Sequence, residues 1–495
     1  MASATSPRVI GVVGAGTMGA GIAEVAAAHG HYVLIFDENV RASEAATARL
    51  TESLSSSGDV ARRPRAVSTI EDLAPCSLVI EAIVEDLDVK RALVGRLEKV
   101  VDEDCVVGTN TSSLSPTAIA NGLRHPQRFL GLHFFNPVPR MKLVEVVPTV
   151  STGEHVIMSM IDLMRAWEKE PIRAAAWSPG FVVNRVARPY YGEAFRLLEE
   201  RAAPADVIDA VMTGAGGFRM GPFALADLIG HDVNQVVTRS VWAAFGFDPR
   251  YGPSLLQQEL VNAGRLGRKS GRGVHDYANG RPPAPDPEPS RAPATVDAVG
   301  RGADKAGGFA QFLERAGVSP PNVEGRLSGV RLANGALLVR SNGRTADDES
   351  ARAHAPVIIV DRCLDDRDAT AIAVSASADC PPLTVDGAVG LLQSAGLNVF
   401  RVADVAGVIV TRTVAMLINQ AMDAQRLGVA TQDEIDLAMT LGAGYPLGLS
   451  TWCQRWGAAS VAEILDNLAS EYGDGRYRTD PLLRRLARAQ ESASS

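Results

Sequence analysis

RVIGVVGAGTMGAGIAEVAAAHGHYVLIFD, residues 8–37, decides the fold. A short β-branched run ends abruptly in Gly14, Ala15, Gly16, Thr17, Met18 and Gly19, after which alanines and single large apolar residues continue to Gly30. A second apolar run ends in Asp37. Strand, glycine turn, helix and strand make the first βαβ unit of a dinucleotide-binding sheet. Each glycine has a task there. Gly14 permits the tight turn, Gly16 lets backbone amides approach a pyrophosphate, and Gly19 lets the helix pack closely on the strand. Asp37, eighteen residues after Gly19, stands where a carboxylate accepts hydrogen bonds from the adenosine ribose hydroxyls. That carboxylate repels a 2′-phosphate and no arginine follows before Arg41, so NAD is expected rather than NADP. The plainer reading of the same glycines is a turn without a ligand.

Outward from this stretch, residues 8–150 alternate apolar runs (SLVIEAI, CVVGTN, RFLGLHFF, KLVEVV) with helical segments, the pattern of a parallel sheet covered on both faces. The expected fold class is an α/β Rossmann-type nucleotide domain over 1–177, then an all-α C-terminal domain over 178–280. A linker over 281–330 follows, because RPPAPDPEPSRAPATVDAVGRGADKAGG is too rich in Pro, Ala, Gly and Asp to bury a core. A small degenerate α/β unit over 331–402 has no glycine-rich phosphate loop. A second copy of the all-α domain, over 403–490, is a structural repeat. Aligning SPGFVVNRVARPYYGEAF with VAGVIVTRTVAMLINQAM puts Gly180 on Gly407 and Arg185 on Arg412, and Asp206 then falls on Asp433. Asn184 falls on Thr411, so the repeat keeps the scaffold and loses an amide.

A length of 495 residues fits about two to four domains. With 46% hydrophobic and 21% charged residues and no apolar stretch near the ~20 residues of a membrane helix, a membrane-spanning chain is not expected. The N-terminus has no basic region followed by an apolar one, so a cytoplasmic location is expected. Five scattered cysteines without a CxxC pair suggest neither disulfides nor a metal site. A net charge of -8 gives no general attraction to nucleic acid or anionic lipid.

Two further clusters carry chemistry. NTSSLS, Asn110 to Ser115, ends a strand, where doubly wound sheets bind ligands. The Ser112 hydroxyl there either donates to a substrate oxygen or caps the following helix. GLHFFNPVPRMKLVEVV puts His133 and Asn136 at one strand end and Glu145 in the next strand. Alcohol oxidation needs a base for the hydroxyl proton, and imidazole suits because its pKa lies near operating pH. A carboxylate on the other ring nitrogen fixes the tautomer, the role read for Glu145. The alternatives are a satisfied strand-end histidine and a solvated glutamate. Lys90 reads locally as a solvated helix lysine, and Lys269 in GRLGRKSGRG as a solvated loop or a phosphate clamp.

In order, GAGTMGAGIA, EAIVEDLDVK, NTSSLS, GLHFFNPVPRMKLVEVV, PGFVVNR and GRLGRKSGRG resemble the 3-hydroxyacyl-CoA dehydrogenases over residues 8–277. The resemblance implies an NAD-dependent enzyme that reversibly oxidises a (3S)-3-hydroxyacyl-CoA to the 3-oxoacyl-CoA. His133 would be the catalytic base, Glu145 its partner, and Ser112 and Asn184 would meet the substrate's 3-oxygen or orient the reacting groups. Asp37, Glu85, Lys90, Ser112, Asn136 and Lys269 would contact NAD. The layout with a linker and second helical copy looks like the longer bacterial members of phenylacetate catabolism, which implies 3-hydroxyadipyl-CoA as substrate. A short-chain 3-hydroxybutyryl-CoA enzyme is the alternative within the family, and a non-catalytic NAD-binding relative the alternative outside it. A dicarboxylic chain needs a cation, for which Arg140 and Arg219 lie in suitable loops, although both read more simply as surface arginines. A homodimer is implied, unless the second helical copy satisfies part of that surface internally. SSSGDVARRPRAVSTIEDL looks shorter than the family's CoA-holding arm, which leaves Arg62, Arg63 and Arg65 as candidates for phosphate contact.

Overall fold

Strands that open on apolar runs, such as Leu78–Glu81 and Val106–Thr109, suit cover on both faces, and all eight of these residues are buried. The structure, a computed structural model, describes residues 7–54, 64–300, 308–319, 322–323 and 329–494. It divides into two compact units, Met1–Arg185 with Leu427–Ala443, and Val186–Arg426 with Gly444–Ser495.

The first unit is built on β1 (Val9–Val13), β2 (Tyr32–Phe36), β3 (Arg65–Val67), β4 (Leu78–Glu81), β5 (Val106–Thr109), β6 (Phe129–Phe134), β7 (Leu143–Pro148) and β8 (Glu170–Arg173). Their order is β3-β2-β1-β4-β5-β6-β7-β8. All neighbours are parallel except β6 and β7, so the six strands expected from the sequence are present and two short edge strands join them. Strand order reverses between β1 and β4, which places a ligand crevice outside their carboxyl ends. Helices α1 (Thr17–Ala28), α2 (Val40–Leu54) and α3 (Leu87–Val100) belong to this unit. One core layer joins Ile22 and Ala26 of α1 to Met160, Leu163 and Trp167, and another joins Leu93, Val94 and Leu97 of α3 to Ile119. Arg62 and Arg63 lie outside the described residues, and Arg65 opens β3 exposed.

The second unit carries a seven-stranded sheet in the order β10-β9-β11-β12-β13-β14-β15. Its strands are β9 (Val296–Gly300), β10 (Asn322–Val323), β11 (Val330–Leu332), β12 (Leu337–Arg340), β13 (Val357–Val360), β14 (Ala371–Ala376) and β15 (Asn398–Arg401). This corrects the expectation of a structureless linker over 281–330. β9 pairs antiparallel with β11, and the helix Gly308–Arg315 buries Phe309, Phe312 and Leu313. A composition poor in apolar residues concealed two short elements that bury Ala298, Phe309, Phe312 and Leu313. The α/β unit therefore begins near Val296 rather than at 331. By contacts, 178–185 and 427–443 group with the first unit.

The repeat holds at backbone level. Gly180 and Gly407 have φ of 71° and 76°, and the residues after them, Phe181 and Val408, have φ of 53° and 51°. A β-branched valine in the left-handed region is strained, so its recurrence at the repeat position marks a shared chain reversal. Within the second unit the helix Arg188–Glu199 of the first copy packs on Val410–Arg426 of the second. Buried between them, the Arg412 guanidinium donates to Glu193 at 2.7 Å and to Glu200 at 2.8 Å.

Candidate active site

The glycine turn follows β1, and its three glycines differ in their surroundings as the fold requires. Gly14 has φ of 101°, and a Cβ there would lie 2.6 Å from the Ala82 carbonyl oxygen. A Cβ on Gly19 would run into the Gly14 carbonyl oxygen, whereas one on Gly16 would meet nothing within 4 Å. Gly16, the N-cap of α1, offers the first amides of the helix no side-chain acceptor, which suits a pyrophosphate cradle. Asp37 at the end of β2 accepts from Ala15 N at 2.8 Å through Oδ2 and from Asn39 N at 2.9 Å through Oδ1. The carboxylate is thereby fixed beside the turn. Thr17 and Asn136 line one groove together with Gly21, Arg49 and Pro137, while Met18 packs against the core. These residues fit a dinucleotide.

Gly16→Ala separates ligand from fold. The added methyl touches no protein atom, so the variant is expected to melt with the parent. It fills the space a pyrophosphate needs, so the NADH Kd, read by fluorescence titration, should rise about tenfold or more.

At the carboxyl end of β6 lies the histidine. Antiparallel register sets His133 opposite Glu145 of β7. The imidazole is 6% exposed, and its Nδ1 donates to Glu145 Oε2 at 2.6 Å. Glu145 is fully buried, and its Oε1 accepts from the amides of Val182 at 2.9 Å and Val183 at 3.0 Å. Each carboxylate oxygen thus has a separate task. The imidazole is packed between the rings of Phe135 and Phe181, at centroid distances of 4.5 and 5.6 Å. With Nδ1 engaged, Nε2 is the nitrogen left to take a proton from a substrate hydroxyl.

Beyond β5, the loop of residues 111–113 is gathered on one oxygen of Glu85. Oε1 accepts from the Thr111 hydroxyl at 2.7 Å, the Ser112 amide at 2.9 Å and hydroxyl at 3.3 Å, and the Ser113 amide at 3.0 Å and hydroxyl at 2.9 Å. Burial acts to raise the Glu85 carboxyl, but the Thr111 hydroxyl and the Lys90 charge outweigh it and hold the group below the usual carboxylate range. Asn184 donates from Nδ2 to the Ser112 carbonyl oxygen at 3.2 Å, so Ser112 and Asn184 are brought together. Ser115 rather than Ser112 caps the helix Pro116–Ile119, accepting from Ala118 N, which leaves the Ser112 hydroxyl outside that structural task. Asn110 accepts from Phe134 N at 2.8 Å and ties this loop to β6.

Lys90 is not the solvated lysine of the local reading. It is 1% exposed and ion-paired with the wholly buried Glu81, a residue the sequence analysis passed over. Lys269 belongs to the second unit, where its ammonium lies 2.6 Å from Asp232. Arg140 and Arg219 are both exposed.

The repeat shows the same frame without the chemistry. β13 is antiparallel to β14 and β14 parallel to β15, as β6 is to β7 and β7 to β8. Counting from Ala371 opposite Asn398, as from Leu143 opposite Glu170, puts Ala373 at the place of Glu145. Asp361, whose amide bonds to the Ala373 carbonyl, then occupies the place of His133. Its carboxylate takes the amides of Ile409, Val410 and Thr411 at 3.1, 2.7 and 3.0 Å, together with the Thr411 hydroxyl. The start of the helix Ala346–Ala353 is closed by Asp404, which accepts from the amides of Ala346 and Asp347. No proton-abstracting pair survives there.

A glycine-loop dinucleotide cradle on the same sheet edge as a His–Glu pair defines an NAD-dependent dehydrogenase acting on an alcohol. The chain belongs to the 3-hydroxyacyl-CoA dehydrogenase family. Residues 9–176 match its NAD binding domain, 180–277 and 407–494 each match its C-terminal domain, and 338–405 match the 3-hydroxybutyryl-CoA dehydrogenase reduced Rossmann-fold domain. The 3-hydroxyadipyl-CoA dehydrogenase of Escherichia coli K12 is 42% identical over 97% of this chain and 97% of its own length. A probable 3-hydroxybutyryl-CoA dehydrogenase of Bacillus subtilis is 38% identical, covering 54% of this chain and 97% of its own. Among solved structures, a protein of Escherichia coli K12 described as 3-hydroxybutyryl-CoA dehydrogenase superposes with a TM-score of 0.87 at 40% identity, covering 99% of this chain and 100% of the other.

Proposed function

We propose that this dehydrogenase oxidises (3S)-3-hydroxyadipyl-CoA to 3-oxoadipyl-CoA, as a step of phenylacetate catabolism. NAD, when bound, supplies the hydride acceptor. His133 Nε2 removes the 3-hydroxyl proton, and Glu145 holds the ring in the tautomer that leaves Nε2 free and stabilises the imidazolium that forms. Ser112 and Asn184 hold the 3-oxygen. Gly14, Ala15, Gly16, Thr17, Met18, Gly19, Asp37, Glu85 and Asn136 hold the cofactor, and Lys90 supports them from behind. The observation that carries the acyl-chain assignment is the match to the adipyl enzyme along both helical copies and the reduced Rossmann domain, at 97% of the chain.

A second reading has its own observation, since the solved structure of the same whole-chain form is described as a 3-hydroxybutyryl-CoA dehydrogenase. The two are separated by kcat/KM for 3-oxoadipyl-CoA against acetoacetyl-CoA in the NADH-oxidising direction. A preference of about tenfold or more for the adipyl substrate is expected. Equal values, or preference for acetoacetyl-CoA, overturn the assignment.

A homodimer in the cytoplasm belongs to the same proposal. Five buried free thiols support a reducing compartment, and among the described residues no helix is long and apolar enough to cross a membrane. The second helical copy covers part of the first within one chain, so self-association would use a different face. Light scattering at the mass of a single chain would end the dimer.

A further inference from the structure

We propose that the buried Glu81–Lys90 ion pair is a positioning device for the reaction: it fixes Glu85, and Glu85 fixes the loop that carries Ser112. Lys90 Nζ lies 2.9 and 2.8 Å from the two oxygens of Glu81 and 3.5 Å from Oε2 of Glu85. Glu81 ends β4. Its oxygens also take the Thr109 hydroxyl at the end of β5 and the Ile83 amide, at 3.1 Å, so the carboxylate is anchored to two central strands. The ammonium carries that anchorage across to Glu85. Oε2 of Glu85 faces the cation while Oε1 collects the donors of three successive residues, so the carboxylate cannot rotate without giving up one side or the other. Ser112, whose carbonyl also receives the Asn184 amide, is the end of this line.

Stability alone explains the pair poorly. Taking two charges out of water costs as much as their attraction returns, and well-packed apolar residues often replace such a pair without loss. Orientation of a loop is a task that apolar residues cannot perform.

The test is a double-mutant cycle between a neutral replacement of the pair, Glu81→Gln with Lys90→Met, and Glu85→Gln. Replacing both partners removes the two fully buried charges together and leaves Glu85, which is partly exposed, with its loop donors but without its cation. With Glu85 present, the replacement is expected to lower kcat for hydroxyacyl-CoA oxidation about tenfold and, because Glu85 also holds the cofactor, to raise the NADH Kd about threefold. With Gln at position 85, the same replacement should change kcat by less than about twofold. Equal losses in both backgrounds, or a raised NADH Kd in both, overturn the proposal, because Lys90 would then serve the fold or touch the cofactor itself. Should the paired replacement fail to fold, Lys90→Arg is carried through the same cycle, where loss confined to the Glu85 background supports the proposal and equal loss overturns it. The inference rests on Ser112 meeting the substrate, and Ser112→Ala measured alongside reports on that separately: full activity there removes the substrate contact, while the cycle still decides whether Lys90 acts through Glu85.

Discussion

His133→Ala is expected to lower kcat by about 10²- to 10⁴-fold, the range a positioned general base supplies. NADH affinity, read by fluorescence titration, should stay at the parent value. The two effects separate because the imidazole contributes nothing to the glycine turn, while Glu145 keeps two backbone donors after the ring is gone. The fold therefore loses one hydrogen bond and some packing against Phe135 and Phe181. The reaction loses its proton acceptor. Near-parental turnover in steady-state assays would end the assignment of His133.

Glu145→Gln should be nearly as severe, for a different reason. The carboxylate serves His133 Nδ1 with one oxygen and the amides of Val182 and Val183 with the other. A carboxamide has only one oxygen. If that oxygen stays on the two amides, the NH₂ group faces Nδ1 and forces the proton to Nε2, where it blocks base catalysis. If it turns to Nδ1, the NH₂ meets two backbone donors in a fully buried place, at a cost of roughly 1–3 kcal/mol for each unmet group. The first arrangement is the cheaper, so kcat should fall by about 10²-fold or more while the melting temperature changes little. A variant that loses stability and keeps its turnover would instead make Glu145 a purely structural group.

Most of the His133–Glu145 pair was legible because it depends on local rules. Strand runs, a glycine turn with a carboxylate after the second strand, and two chemically suited residues twelve apart on successive strands can be read without tertiary information. The register that sets His133 opposite Glu145 follows from the antiparallel return. The amides of Val182 and Val183 could not be read, since backbone donors leave no mark in side-chain identity. Glu81 and Lys90 are nine residues apart across a strand end and a helix start, and only the folded geometry turns an apparently solvated lysine inward. The strand Val296–Gly300 was hidden by its neighbours, whose Pro, Gly and Asp content outweighs a run as short as VDAVG. Asp361 as the counterpart of His133 required the pairing of β13 with β14, which no spacing in the chain announces.

Asp361, standing where His133 stands in the first sheet, ties the second sheet to its own backbone amides. Asp361→His alone would strip three buried backbone amides of their acceptor, and Ala373→Glu alone would crowd a second carboxylate against the first. Each single replacement toward a His–Glu pair at these two places therefore weakens the second unit locally, whereas the pair introduced together exchanges one acceptor for another.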